Sequence, residues 1–207
     1  MPDDQPFRIA LLVGMSLLIP VMAYFRIRSQ LTGERLDRRQ EGWFILISLR
    51  LVAAVGAVVM ITFLVDPSLT RWSSLPLPEW LRWSGIAIGA AAGVWVIWTF
   101  SHLGKNLTDT VVTRREHTLV TSGPYHWIRH PFYIGVAGTV AAVSLATTNW
   151  FVAVTGITVL ALLIARTDRE EAKLVERFGD EYRRYMANTG RFWPRMRKAL
   201  RDPPSIA

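Results

Sequence analysis

Leu119-Val-Thr-Ser-Gly-Pro-Tyr-His-Trp-Ile-Arg-His-Pro-Phe-Tyr-Ile-Gly-Val-Ala-Gly138 decides how this chain is read, because a segment dense in hydrogen-bonding side chains runs there straight into an apolar helix. Gly123-Pro124 predicts a turn. Pro131 suits the first turn of a helix and pushes His130 before it into an extended conformation. Arg129 and His130 are therefore expected at a helix mouth, where free N–H groups and the positive dipole end favour an anionic group. Tyr125 and Tyr133 flank the same spot, and the combination predicts chemistry at a membrane surface.

Outward from this stretch, the 51% hydrophobic content of the 207 residues is concentrated in blocks long enough to cross hydrocarbon. The sequence predicts an all-α, polytopic integral membrane protein of about five transmembrane helices. Phe7 to Phe25 is the first span, with Pro20 tolerated as a kink because neighbouring helices can satisfy the freed carbonyl. A polar loop with Arg26, Arg28, Arg35, Arg38 and Arg39 follows, then Trp43 to Val65 as the second span with Trp43 at its interface. Arg50 lies roughly 10 Å inside that span at 1.5 Å per residue. It has two readings: a side chain that snorkels to the interface, or a binder of an anionic substrate group.

A Pro- and Trp-containing connection, Asp66 to Trp80, leads to the third span, about Leu81 to Phe100. Gly85, Gly89 and Gly93 share one of its faces, predicting close approach of another backbone within or between subunits. Phe132 to Ala165 is too long for one span and breaks at Thr147-Thr148-Asn149, so it reads as a tight helical hairpin. Each arm of about 16 residues measures roughly 24 Å, marginal against a ~30 Å core. Pro131 and Arg166 are expected on the same side of the membrane.

The formal charge of +8 is distributed unevenly. Arg26 to Arg39, Lys105 to Arg129 and Arg166 to Arg201 fall on one side of the five-span arrangement, against Arg8, Arg71 and Arg82 on the other. Positive charge marks the cytoplasmic side, so the N-terminus is expected outside and the C-terminus and active site in the cytoplasm. Topology and attraction to anionic lipid account for the charge, and no nucleic-acid-binding signature accompanies it. Met1-Pro-Asp-Asp-Gln-Pro6 is acidic where a signal peptide is basic, so the first apolar segment is expected to be retained.

From Asp168 the chain reads as an amphipathic helix, with Leu174, Val175, Phe178, Tyr182, Tyr185 and Met186 at helical spacing. Gly179 is expected to break it, with Asp180 capping the second piece. Glu170 and Glu171 precede Leu174 and Val175 by one turn and edge the apolar face, so they need a positive partner: Arg166 one turn earlier, or a bound cation.

The four histidines, His102, His117, His126 and His130, lie in one segment. Metal is disfavoured because Pro131 and the Gly123-Pro124 turn preclude a regular helix through His126 and His130, and no cysteine or nearby carboxylate completes a ligand set. A Gly-x-Ser-x-Gly nucleophile elbow and a Gly-x-Gly-x-x-Gly dinucleotide motif are both absent. Oligomeric state is not readable.

His117-Thr-Leu-Val-Thr-Ser-Gly-Pro-Tyr125 followed by Arg129-His-Pro-Phe-Tyr-Ile-Gly135 resembles the signature of the isoprenylcysteine carboxyl methyltransferase and phospholipid N-methyltransferase family. Glu170-Glu171, the run Phe178 to Tyr185, and Arg191-Phe-Trp-Pro194 resemble its second motif. The resemblance covers about Leu103 to Pro194. It implies an enzyme that holds S-adenosylmethionine without a Rossmann fold and takes a lipid-soluble or lipidated acceptor from the bilayer. His117, Leu119, Gly123, Tyr125, His130, Pro131, Tyr133 and Gly135 would line the cofactor pocket, with Glu170 and Glu171 closing it. This divides the chain into membrane helices (1–101), a methyltransferase-like region (102–194) and a basic tail (195–207).

The segment offers acids, aromatics, a helix mouth and an apolar slot, which suit the cofactor's ammonium, sulfonium, carboxylate and adenine. A carboxylate acceptor needs no base. An amine or thiol must lose a proton, for which His130 or His117 is the candidate, with Arg129 or Arg191 orienting an anionic substrate. Membrane sterol reductases carry a similar Arg-His-Pro-x-Tyr-x-Gly segment and bind NADPH, a rival that paired glutamates disfavour by repelling phosphates. A non-catalytic membrane scaffold retaining the pocket is the remaining alternative.

Overall fold

The computed structural model describes residues 3–30, 43–104 and 118–195. Arg35, Arg38, Arg39, His117 and residues 196–207 of the basic tail lie outside them, as does the side chain of Trp43. Among the described residues seven α-helices follow in order: α1 (Gln5–Gln30), α2 (Trp43–Val65), α3 (Glu79–Leu103), α4 (Pro131–Thr147), α5 (Trp150–Ala165), α6 (Thr167–Phe178) and α7 (Asp180–Asn188). The protein is an all-α, multi-pass integral membrane protein. Helical stretches Gln5–Ser29, Ile47–Val65, Glu79–Leu103 and Trp150–Phe178 are long and apolar enough to cross a bilayer, and α4 is a shorter apolar helix. The apolar part of Trp150–Phe178 is α5, since α6 carries a charge at nearly every second position. The hairpin arms have 17 and 16 residues, about 26 and 24 Å.

The hairpin turns where the sequence broke. Thr148 takes a left-handed conformation at φ 51°. Asn149 then caps α5 by accepting from Val152 N at 3.0 Å, and its amide donates to buried Ser73 Oγ at 2.7 Å. This ties the hairpin to the α2–α3 connection, where Leu75 N also donates to Thr148 O at 2.6 Å. Arg82 of α3, 1% exposed, donates to Ala146 O at 3.1 and 3.0 Å, pairs with Asp4 at 2.7 Å and lies over the Phe7 ring at 3.7 Å. We call this the hairpin end and the opposite end, with the N-terminus of α4, the site end.

Small residues set the central packing, because in lipid helices associate through contact more than hydrophobic exclusion. The α3 glycines face inward within the chain: a Cβ on Gly85 would stand 2.7 Å from Leu145 Cβ and 2.9 Å from Ala142 O, and one on Gly93 would meet Leu18 of α1 at 2.9 Å. From α4, a Cβ on Gly135 would run into Val96 and one on Gly138 would reach Ala92 Cβ at 2.9 Å. The backbones of α3 and α4 therefore lie together along their length, which holds the mouth of α4 fixed against α3. Trp95 Nε1 donates to Pro131 O at 2.7 Å and fastens that mouth.

The amphipathic tail differs from the sequence expectation in one detail. Gly179, at φ 56°, separates α6 from α7 and itself occupies the capping position, so Asp180 is not the cap. It is the first helical residue and pairs with Arg183 at 2.8 Å. A residue at positive φ suits glycine, and the chain reverses there before a carboxylate can reach the cap.

Candidate functional site

Pro131 opens α4 as its first helical residue, with His130 outside the helix at φ −123°. Before it, Gly123–His126 form a single 3-10 turn, and Gly123 at φ 60° lies so close to the His102 ring that a Cβ there would overlap it. Residues 127–130 then pair with the chain beyond α7. Gly190 N donates to Trp127 O at 3.3 Å, Arg129 N to Gly190 O at 2.8 Å and His130 N to Arg191 O at 3.1 Å. Tyr185, kept protonated by burial, donates to Tyr125 O at 2.6 Å. The two motifs, about 60 residues apart, are thus held as a backbone-paired strap across the mouth of α4.

Within the strap Glu171, 6% exposed, accepts from Arg129 Nε at 2.8 Å, Arg191 Nη2 at 2.8 Å and His130 Nε2 at 3.2 Å. Burial by itself would raise its pKa, but the three hydrogen bonds outweigh it and hold the carboxyl down at about 2. Glu170 accepts from the Tyr133 hydroxyl at 2.9 Å and pairs with Arg166 at 2.8 Å, and His130 Nδ1 lies 3.6 Å away. The His130 and Tyr133 rings stack at 5.5 Å between centroids, and Phe192 tilts against both at 5.8 and 6.1 Å.

Of the residues singled out in the sequence, Arg129, His130, Tyr133, Glu170, Glu171 and Arg191 converge on this network. Arg129 also donates to Met186 O at 3.2 Å and to Thr189 O, so its guanidinium clasps the end of α7. Gly135 and Gly123 stand at the edges, packed on Val96 and His102. Leu119 is half-buried, Pro131 is buried with its carbonyl held by Trp95, and Tyr125 contributes its carbonyl to Tyr185.

Three contributors escaped sequence reading. Phe192 sits inside the Arg191-Phe-Trp-Pro194 motif but is silent as an isolated aromatic. Thr189 and Gly190 act through backbone carbonyls, which no residue type announces. The partners of the glutamates were also only half legible: Arg166, one turn away, is there, but Arg129 and Arg191 arrive from distant segments.

Three arginines now face two glutamates, with Asp168 supplying a further carboxylate to Arg191 at the exposed edge. The acids are already neutralised, so they do not by themselves call for a cation, and the charge argument against a phosphate-rich cofactor loses its force. Among the described residues, Arg191 Nε is a buried side-chain nitrogen without a hydrogen-bond partner. Such a donor costs free energy of about 1–3 kcal/mol until an acceptor meets it.

Comparison with known proteins bears on the same segment. Residues 85–176 match the family model described as isoprenylcysteine carboxyl methyltransferase. Human protein-S-isoprenylcysteine O-methyltransferase is 32% identical over 130 residues, covering 55% of this chain and 41% of the human protein. The cobalt-zinc-cadmium resistance protein CzcN of Cupriavidus metallidurans is 28% identical over 146 residues, covering 67% of this chain and 62% of CzcN. The fold resembles that of the eukaryotic intramembrane Ras methyltransferase ICMT, with TM-score 0.51 and 24% identity over 69% of this chain and 50% of that one. The chain spans about four tenths of the length of the human and mouse methyltransferases it matches. Residues 85–176, which include α4, the mouth of that helix and the paired glutamates, are thus the part of the chain that is similar to the isoprenylcysteine carboxyl methyltransferase family.

Proposed function

We propose that this protein transfers the methyl group of S-adenosylmethionine to a lipophilic acceptor at the site end of the bundle. The observation that carries the reading is Arg191 Nε, among the described residues a buried donor without a partner, on a guanidinium that holds Glu171 next to a stacked aromatic pair. A zwitterionic amino-acid moiety suits that set: its carboxylate would meet Arg191 Nε, and its ammonium would share Glu170 and Glu171 with the arginines. Tyr133 and Phe192 offer aromatic faces to a sulfonium. When bound, S-adenosylmethionine supplies a methyl group activated by positively charged sulfur.

The remaining work belongs to the chain. In-line displacement needs alignment and exclusion of water more than a covalent nucleophile. The strap across α4 contributes both, since Arg129 clasps α7 and Glu171 ties Arg129, His130 and Arg191 into one unit. A carboxylate acceptor would react without proton transfer. For an amine or thiol, His130 would take the proton, and His117 remains a second candidate outside the described residues. The glycines and Leu119 would shape the pocket indirectly, by letting His102 and Val96 close on it.

We further assign the site end to the cytoplasm, on the charge asymmetry of the loops, with the N-terminus outside. Residues 1–101 would select the acceptor, 102–194 hold the cofactor and 195–207 meet anionic lipid. The human relative's name specifies a prenylated cysteine; a phospholipid amine or a small hydrophobic thiol or amine fits the same entrance. Titrating the protein in lipid nanodiscs with S-adenosylmethionine and with NADPH, then supplying methyl-labelled cofactor and fractionated membrane lipids, tests the reading. Saturable binding of S-adenosylmethionine and label in one lipid fraction is the expected result. Binding of NADPH instead, or cofactor binding without transfer to any fraction, would overturn it.

A further inference from the structure

The network at α4 leaves Arg50 unexplained. It is exposed on α2, about 10 Å inside a helix that contains no acidic residue. Its helix face is informative. Arg50, Ala53, Ala57, Met60 and Leu64 follow one another at alternating steps of three and four, which is a single stripe along α2. Toward the hairpin end this stripe is covered: Met60 and Leu64 pack on the cluster containing Leu11 of α1, and Arg8 of α1 donates to Leu64 O at 2.6 Å and Val65 O at 2.9 Å. Toward the site end Ala53 and Ala57 are exposed. There α1 leans on α3 instead, with Phe25 edge-on to Phe100 at 6.1 Å, while Gly56 of α2 faces Thr155 of α5.

Among the described residues the α2 stripe is left uncovered toward the site end, with exposed Ala53 and Ala57 leading to Arg50 at its polar limit. An aromatic sequence leads from the α1 side to the network. Phe100 stacks on Phe132 at 5.4 Å, Phe132 adjoins Tyr133 at 6.1 Å, and Tyr133 adjoins Phe192 at 6.1 Å. A cation in an apolar span is costly unless its long stem returns the guanidinium toward polar headgroups or an anion meets it. An arginine that merely snorkelled would serve on any face of α2. This one continues the stripe on which α1 closes.

We propose that Arg50 captures the carboxylate of a lipophilic acceptor as it enters between α1 and α2, and so makes the protein select anionic over neutral amphiphiles. This rests on the methyltransferase reading for its consequence but not for its measurement. Arg50 acts at encounter, before the acceptor reaches α4, so it is a specificity-determining residue and not a catalytic one.

The test uses the full chain in nanodiscs of uncharged phosphatidylcholine, without cofactor. The probes are a prenylated cysteine with a free carboxylate and its primary amide. Wild type is expected to bind the carboxylate about tenfold more tightly, the preference one charge-assisted hydrogen bond confers. Arg50→Gln should abolish the preference by weakening the carboxylate alone, and Arg50→Lys should restore most of it. Where methyl transfer is measured, Arg50→Gln should raise KM for the carboxylate and leave kcat unchanged. Equal binding of the two probes by wild type, equal weakening of both by Arg50→Gln, or no weakening of either overturns the proposal. Selective carboxylate binding without methyl transfer would instead sustain Arg50's role and defeat the enzymatic reading.

Discussion

Each end of the helical bundle gathers arginine, fully buried at one end and partly buried at the other, and the two ends use it differently. At the hairpin end Arg82 divides its donors between Asp4 and the carbonyl of Ala146 and rests on the Phe7 ring, joining α1, α3 and α4. At the site end Arg129, Arg166 and Arg191 surround two glutamates and leave Arg191 Nε unmet. A buried cation whose partners are complete is a fastener. A cluster with surplus donors is prepared for something else, because an unsatisfied buried N–H is tolerated where a ligand can satisfy it.

Breaking the fastener should cost the most. Arg82→Ala removes a fully buried side chain, leaves a cavity and strips the Ala146 carbonyl of its donor, and is expected to destabilise the protein by about 3–5 kcal/mol, seen as a large fall in Tm in detergent. Cofactor affinity of the fraction that remains folded should change little. A variant that melted normally but lost cofactor would erase the distinction between the ends.

Glu171→Gln should do the reverse. It keeps a similar shape but leaves Arg129 and Arg191 short of a counter-charge, at an expected cost of about 2–3 kcal/mol in S-adenosylmethionine binding, or at least tenfold in Kd by calorimetry. Unchanged affinity would remove the network from the site.

Gly135→Ala comes next. Its methyl would press on Val96 and prise α4 from α3 at the mouth, for about 1–3 kcal/mol by thermal unfolding. Gly14→Ala is the control, since nothing lies within 4 Å of a Cβ there. Equal effects at the two glycines would show that α3 and α4 are less tightly joined than described.

Acid should have the mildest effect. Glu171 is held near 2 against an ordinary 4.5, so the stabilisation its carboxylate gives the strap is complete above about pH 4.5 and is lost as pH falls toward 2. Pepsin should then cut between Tyr182 and Gly190 progressively faster across that interval relative to an unstructured peptide of the same sequence. A flat ratio would mean that Glu171 does not hold the strap.

Much of the membrane fold was legible one helix at a time. Apolar blocks marked the spans, Thr147-Thr148-Asn149 marked the turn, and Gly179 marked the break in the tail. The convergence of Arg129, His130, Tyr133, Glu170, Glu171 and Arg191 was legible as a set of residues because the two motifs keep their order. Its electrostatics were not: Arg129 and Arg191 lie far in sequence from Glu171, and Thr189 takes part through a carbonyl that any residue would provide.

Local sequence pattern was enough to read a helical, membrane-embedded chain, the stretches long and apolar enough to cross, and where polar chemistry gathers. Hydrophobic periodicity and proline and glycine positions act locally and so can be read locally. Three features needed the folded chain: Arg82 is sealed in, the paired acids already have cations, and the α2 stripe that carries Arg50 is exposed toward the site end. Which charges meet depends on how whole helices lean on one another, and side-chain contacts at close range determine that lean.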